Sequence, residues 1–281
     1  MQFLNRSDGF VYGDAAAFVT HDGGDHWAGA GIAFGIVLSM TGRGNSAWAL
    51  TLACDPSPNV PCNPGPYLVQ QSADGGRHWT SPRPLAHLAG NPKSLAFSDG
   101  GLLIWGRSQI VITTDGSVTW RLIASACTNA SADLEVATSD GHEIWSVCTD
   151  LVYSHGPNVS PDIVIKGPYV SEDGGTSWSE TSRPATVLGE GAGMSLISPA
   201  KGIAFITSLG TPTIYVTRDA GQTWGPVTAM GALPANGFFS LRLGGPTDFW
   251  AIGFAYTDWI WASHDGGATW SMLPDPRVWA A

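Results

Sequence analysis

An eight-residue pattern, Ser/Thr-x-Asp-x-Gly-x-x-Trp, occurs six times in this chain and limits what it can fold into. The copies are Thr20 to Trp27, Ser72 to Trp79, Thr113 to Trp120, Ser171 to Trp178, Thr217 to Trp224 and Ser263 to Trp270, with one lapse, Ser117 in place of Gly. The tryptophans Trp27, Trp79, Trp120, Trp178, Trp224 and Trp270 are separated by 52, 41, 58, 46 and 46 residues. A period in the forties, with a short apolar run on each side of every copy, predicts a radially repeated β-structure. Each copy is a turn. Its aspartate (Asp22, Asp74, Asp115, Asp173, Asp219 or Asp265) accepts backbone N–H groups one to three residues ahead, and the Ser/Thr hydroxyl adds a further bond. The glycine two residues after the aspartate supplies a positive φ, and the tryptophan opens the next strand and buries its ring beside the turn.

The octapeptide resembles the Asp box, or bacterial neuraminidase repeat, shared by sialidases, sortilin-type receptors, some β-glucanases and the photosystem II stability/assembly-factor family. Phe3-Leu4-Asn5 followed by Gly9-Phe10-Val11-Tyr12-Gly13 is similar to the assembly-factor type of repeat. The resemblance implies an all-β fold, a six-bladed β-propeller. Each box would join the third and fourth strands of a blade on the side away from the ligand, so the six aspartates and six tryptophans are structural. Blades are expected over about 1–30, 31–82, 83–123, 124–181, 182–228 and 229–275, making 1–281 one domain. The second strands carry Tyr12, Trp48, Trp105, Trp145, Phe205 and Trp250, expected in the core between blades.

Composition narrows the function. A net charge of −10 with three lysines argues against nucleic acid or an anionic membrane as partner. No apolar run reaches the length of a membrane span. The repeat pattern begins by Phe3, as in a mature segment. Cys54 and Cys62 bracket a Pro-rich stretch, and Cys127 and Cys148 flank a strand-rich one. Two disulfides and a secreted or periplasmic location are therefore expected. No Cys/His cluster has the spacing of a metal site, and no cofactor is expected.

If the boxes lie at one end of each blade, the loops between second and third strands lie at the other, with the connections between blades. The long ones are 54–66, 81–93, 124–133, 149–162 and 180–193; Cys54, Cys62 and Cys127 fall among them, and Cys148 is expected to end the second strand of the fourth blade. Candidate ligand contacts there and on neighbouring loops are Arg83, His87, Tyr153, His155, Glu190, Tyr256 and Trp259. Asp55, Asp150, Asp162 and Glu190 are the carboxylates from which a glycosidase pair would be drawn. Sialidases require an arginine triad, and this chain departs from it. Arg6 sits in Asn5-Arg6-Ser7 rather than an Arg-Ile-Pro-like motif, and the fifth blade offers Ile206-Thr207 on its second strand and Thr211-Pro212 in the turn before its third, where arginines are expected. The leading expectation is a monomeric, non-catalytic module binding a protein or neutral glycan. The alternatives are a diverged glycoside hydrolase of sialidase type and a structural domain of a larger surface protein.

Overall fold

The computed structural model describes residues 2–273 apart from 6, 14–15, 33–34, 54–65, 86–87, 89–91, 99, 107–108, 128–132, 153–162, 182–191, 199–200, 209–210, 218, 220, 227–237, 244–248, 254–258 and 266–268. It contains six four-stranded antiparallel sheets, and the chain divides into two compact units at Ile123/Ala124.

The first unit holds three sheets, all but Ala124, the last residue of the third. They are β1 (Gln2–Phe3), β2 (Gly9–Gly13), β3 (Ala16–Thr20) and β4 (Ala28–Gly29); β5 (Ile36–Arg43), β6 (Ser46–Leu52), β7 (Tyr67–Ser72) and β8 (Arg83–Leu85); and β9 (Lys93–Ala96), β10 (Leu102–Trp105), β11 (Gln109–Thr113) and β12 (Arg121–Ala124). The second unit holds β13 (Asp133–Thr138), β14 (Ile144–Val152), β15 (Ile163–Ser171) and β16 (Ser179–Glu180); β17 (Ala192–Ser198), β18 (Lys201–Ser208), β19 (Thr211–Val216) and β20 (Gly225–Pro226); and β21 (Phe238–Leu243), β22 (Phe249–Gly253), β23 (Trp259–Ser263) and β24 (Ser271–Leu273). Within every sheet the strands lie in sequence order, each paired with the next. No helix among the described residues is long and apolar enough to cross a membrane.

The middle strands read as unbroken apolar runs because both their faces are covered. On β6, Ala47 and Ala49 face one way and join Phe10, Val19, Ala30 and Met40 in a cluster with the first sheet. Trp48 and Leu50 face the other way and join Leu102, Ile104 and Val111 of the third sheet. On this strand small side chains thus line one face and large ones the other, and the second sheet packs between the first and the third. Trp48, Trp105 and Trp145 are buried as expected, but on β2 the fully buried aromatic is Phe10 and not the half-buried Tyr12. The side chains of Phe205 and Trp250 lie outside the described set.

The first strands are held to one another by side chains. Ser39 Oγ on β5 accepts the Ser94 N–H of β9 at 3.2 Å, Thr41 Oγ1 accepts the Ala96 N–H at 2.9 Å, and Arg43 Nη1 donates to the Phe97 carbonyl at 2.9 Å. Gln2 Nε2 reaches the Gly42 carbonyl at 3.1 Å in the same way, from the first sheet to the second. These bonds satisfy backbone groups along strand edges that would otherwise be open.

Several boundaries differ from the sequence-based expectation. In five sheets the fourth strand starts at the residue after the tryptophan rather than at or before it, because the turn still holds the residue preceding the ring. In the second sheet the fourth strand begins later still, at Arg83, four residues after Trp79. There Thr80 Oγ1 accepts the Gln71 N–H at 3.0 Å and the Thr80 carbonyl accepts from Gln70 Nε2 at 3.0 Å. Pro82, lacking an N–H, follows before the ladder resumes at Val69↔Arg83. The expected loop 149–162 is shorter, since β14 and β15 stay paired out to Val152↔Ile163. Thr211-Pro212, expected in a turn, instead pairs with Ser208 and Thr207.

Candidate functional site

Each sheet has two ends, and the octapeptide end is accounted for by internal bonds. The leading Ser/Thr is buried in all six copies. Its hydroxyl donates to the aspartate Oδ1 at 2.7 to 2.8 Å. In five copies it also accepts the N–H of the fifth residue at 2.7 to 3.2 Å. The aspartate Oδ1 further accepts the N–H of the seventh residue, four places ahead and beyond the expected reach, at 2.8 to 2.9 Å. The fourth-residue N–H of Gly23, Gly75, Gly116 and Gly174 donates at 2.8 to 2.9 Å to a carbonyl of the turn between the first two strands of its own sheet. The octapeptide therefore cross-links two turns of one sheet.

The sequence pattern leaves the seventh residue blank, yet this residue is a ligand of the aspartate. His26, His78, Thr119, Ser177, Thr223 and Thr269 occupy it, and each side chain lies 2.5 to 2.7 Å from the aspartate Oδ2. The signal is visible in the sequence: all six have a polar hydrogen within reach of a carboxylate. These bonds hold the carboxylates ionised. The Thr119 hydroxyl, then its N–H, keep Asp115 at about 2. Asp74, Asp173 and Asp219 are likewise lowered, first by the side chains of His78, Ser177 and Thr223, and Asp22 first by the His26 N–H. A general acid needs the opposite shift, so these five aspartates are poorly suited to donate a proton.

The tryptophans and glycines tie each turn to its neighbours. Trp27 stacks edge-on against Phe3 at 6.3 Å, and Trp79 lies 6.3 Å from Phe10 with its Nε1 donating to the Ala30 carbonyl at 2.9 Å. Trp224 meets Trp145 edge-on at 6.1 Å. The fifth-residue glycines have positive φ, +103° at Gly24, +92° at Gly76 and +80° at Gly221. Two of them also leave room for a second-strand aromatic of the preceding sheet. A Cβ on Gly76 would meet Phe10 Cε1 at 2.8 Å, and one on Gly221 would meet Trp145 Cη2 at 2.8 Å. Ser117 adopts φ +69° without being glycine, and its buried Oγ has no hydrogen-bond partner among the described residues.

Two consequences are measurable. Ser117→Gly should stabilise the protein by about 1 kcal/mol, since the left-handed strain of about 1–2 kcal/mol and an unpaired hydroxyl both disappear against a smaller entropic loss. Urea denaturation reads it, and a midpoint that stays put or falls would refute it. Thr217→Val should cost about 1–3 kcal/mol, because Gly221 N–H at 2.9 Å loses a buried acceptor with no change of shape. The same titration checks it.

Outside the octapeptides, Asp8 accepts from Asn5 Nδ2 at 2.8 Å, lies 2.7 Å from His21 Nδ1, and takes Arg77 Nη2 of the second sheet at 3.4 Å. Burial raises its pKa, but the Asn5 and His21 bonds and the Arg77 charge outweigh this and leave it lowered. Glu143 shifts the other way: burial raises it despite the 2.6 Å bond from Trp145 Nε1, and Asp140 and Glu172 add to the rise. No group of three His, Cys, Asp or Glu side chains among the described residues is placed to hold a metal ion.

Cys127 and Cys148 form a disulfide with Cα atoms 5.4 Å apart, and Cys148 lies in the middle of β14 rather than at its loop end, because the strand runs on to Val152. Cys54 and Cys62 lie outside the described residues, as do His87, Tyr153, His155, Glu190, Tyr256, Asp55 and Asp162. Arg83 does not sit in a loop: it opens β8, exposed and paired with Val69. Trp259 opens β23 opposite Gly253. Asp150 lies within β14 opposite Ile165, not in a loop. Of the candidate ligand contacts, Arg83 and Trp259 are the two whose backbone falls among the described residues.

Comparison with solved structures defines the class. The chain resembles YCF48 bound to D1 peptide, with TM-score 0.57 and 21% identity over 96% of this chain and 80% of that one. It also resembles a GH74 xyloglucanase from Xanthomonas campestris, with TM-score 0.59 and 15% identity over 96% of this chain but 44% of that one. A Hadza microbial sialidase gives TM-score 0.56 and 14% identity over 91% of this chain and 64% of that one. These likenesses show the fold: the chain is a β-propeller, similar to YCF48 and sialidase propellers. No family model matches the chain, and no curated protein matches it.

Proposed function

We propose that residues 1–281 form one six-bladed propeller acting as a non-catalytic binding module for a protein or neutral glycan, outside the cytoplasm and as a monomer. The observation that carries the reading is the saturation of the octapeptide ends, whose hydroxyls, carboxylates and turn N–H groups are consumed by internal bonds. Recognition is then left to the loops at the opposite ends, where sequence length and composition vary most. The Cys127–Cys148 disulfide supports an oxidising compartment. A similar propeller has been solved with a peptide bound, which supports a protein ligand. The net charge of −10 disfavours nucleic acid and an anionic sugar, and favours a neutral glycan or a basic protein surface.

The second reading, a diverged glycoside hydrolase, draws on the xyloglucanase and sialidase of the same fold. Kinetics separate the two. The binding module releases no fluorogenic group from sialosides, and Glu190→Gln changes nothing. On an array of neutral glycans and basic peptides, Tyr153→Ala weakens the strongest signal by about 1–3 kcal/mol, the scale on which truncating an interface anchor is felt. Sialoside turnover that vanishes with Glu190→Gln would restore the hydrolase.

A further inference from the structure

We propose that the Cys127–Cys148 disulfide is a redox latch on the segment that enters the second unit, shut when oxidised and opened to proteolysis when reduced. The chain leaves the first unit at Ile123 and enters the second at Ala124. Two tethers hold the residues that follow. The Ala124 carbonyl accepts from Trp178 Nε1 of the fourth octapeptide at 2.8 Å. Three residues on, the disulfide fixes Cys127 to Cys148 in β14, where Cys148 pairs with Leu134 and Gly167 in the middle of the sheet. Both cysteines are buried, at 7% and 3% exposure.

The tethers matter because a protease needs several residues in extended, freed form on both sides of the scissile bond. Arg121 opens β12 and is exposed, so trypsin can address the bond from Arg121 to Leu122. The residues that must then leave the sheet are Leu122 to Ser125, and Ala124 and Cys127 are the anchors that prevent it. With both anchors in place, cleavage waits on local opening. With the disulfide gone, the indole hydrogen bond and the edge pairing of β12 with β11 are left to resist fraying.

A dithiol supplies the electrons. One of its thiolates attacks a cysteine Sγ, the protein S–S bond breaks, and the other cysteine leaves as thiolate and takes a proton. The second thiol of the reductant then attacks the mixed disulfide, so the dithiol ends as a cyclic disulfide and the protein as two thiols. Burial of both sulfurs makes the first attack depend on opening of the same segment, so the latch resists brief exposure and yields to a sustained reducing environment.

Limited trypsin digestion with and without prior dithiothreitol tests this. Reduction should raise the initial rate of cleavage after Arg121 at least about tenfold, giving fragments 1–121 and 122–281, because proteolysis follows the population of the locally opened state. Cleavage after Arg77, in the second octapeptide, should not change. Cys127→Ala/Cys148→Ala should reproduce the reduced pattern without reductant, which separates this pair from Cys54 and Cys62. An unchanged rate after Arg121 in both arms overturns the latch. Acceleration at Arg77 and Arg121 together, with loss of the far-ultraviolet dichroism, also overturns it, because the disulfide would then be a global staple.

Discussion

Gly221→Ala is expected to destabilise the protein by about 2–5 kcal/mol, against about 1 kcal/mol for Gly24→Ala, although both replace the same residue of the same octapeptide. The shared part is backbone strain, since a Cβ in the left-handed region costs about 1–2 kcal/mol, with a partial return from the stiffer unfolded chain. The difference lies in what the Cβ meets. At Gly24 the nearest atom is 3.7 Å away, ordinary contact. At Gly221 it would lie 2.8 Å from Trp145 Cη2, 2.9 Å from Cζ3 and 3.1 Å from Thr181 Cβ. Trp145 cannot retreat: it is fully buried, packed on Trp224 and bonded through Nε1 to Glu143. Overpacking of this kind costs a further 1–3 kcal/mol or so. Guanidinium denaturation of both variants reads the contrast. Shortening the obstacle with Trp145→Leu should make the Gly221→Ala change cheaper in the double variant than alone, a coupling that strain by itself would not produce. Equal losses at the two glycines would mean that only φ matters and that the inter-sheet contact is slack.

That contrast marks where reading the sequence stops. The octapeptides announce six turns, and the short apolar runs on each side of them place the flanking strands. The fourth strands start later than expected because the aspartate captures the N–H of the residue before the tryptophan, so the chain is still turning there. This captor was legible, since only His, Ser and Thr fill the position. The room that Gly76 and Gly221 leave for Phe10 and Trp145 was not, because it depends on a partner in another sheet. The length of β14 and β15 was half-legible: Leu151-Val152 and Ile163-Val164 are strand formers paired with each other, but a loop with acids and cysteine nearby invites a functional reading instead. Of the candidate site, the structural part was readable and the ligand contacts were not. The turn chemistry is local and repeats six times, whereas loop residues such as Tyr153 and Glu190 carry no spacing rule that ties one to another.

Acidification should unfold this protein through the octapeptides, and the pH window follows from their carboxylates. Asp22, Asp74, Asp115, Asp173 and Asp219 all have folded pKa values below the ordinary 3.8. A carboxyl whose pKa is depressed by folding contributes stability that is fully present above the unfolded value and is lost as pH falls through the folded one. Stability contributed by these groups is therefore intact at pH 5, begins to fall near pH 4, and for Asp115 is gone below about 2. Asp22, Asp74 and Asp173 are held lower still and fall later, so the loss is spread over a broad range rather than a single step. Glu143 runs against this trend: its folded pKa is raised above the ordinary 4.5, so protonation as the pH falls towards 4.5 relieves a burial cost and favours the folded state. The melting temperature should thus hold or rise slightly between pH 6 and 5 and then drop steeply between about 4 and 2. Asp115→Asn should lower the melting temperature at pH 7 and flatten the part of the drop nearest pH 2 to 3, because that position no longer titrates. Calorimetry across pH 7 to 2 checks both. A melting temperature that falls from pH 6 onward, or an Asp115→Asn variant whose acid slope matches the parent, would remove the octapeptide carboxylates as the cause.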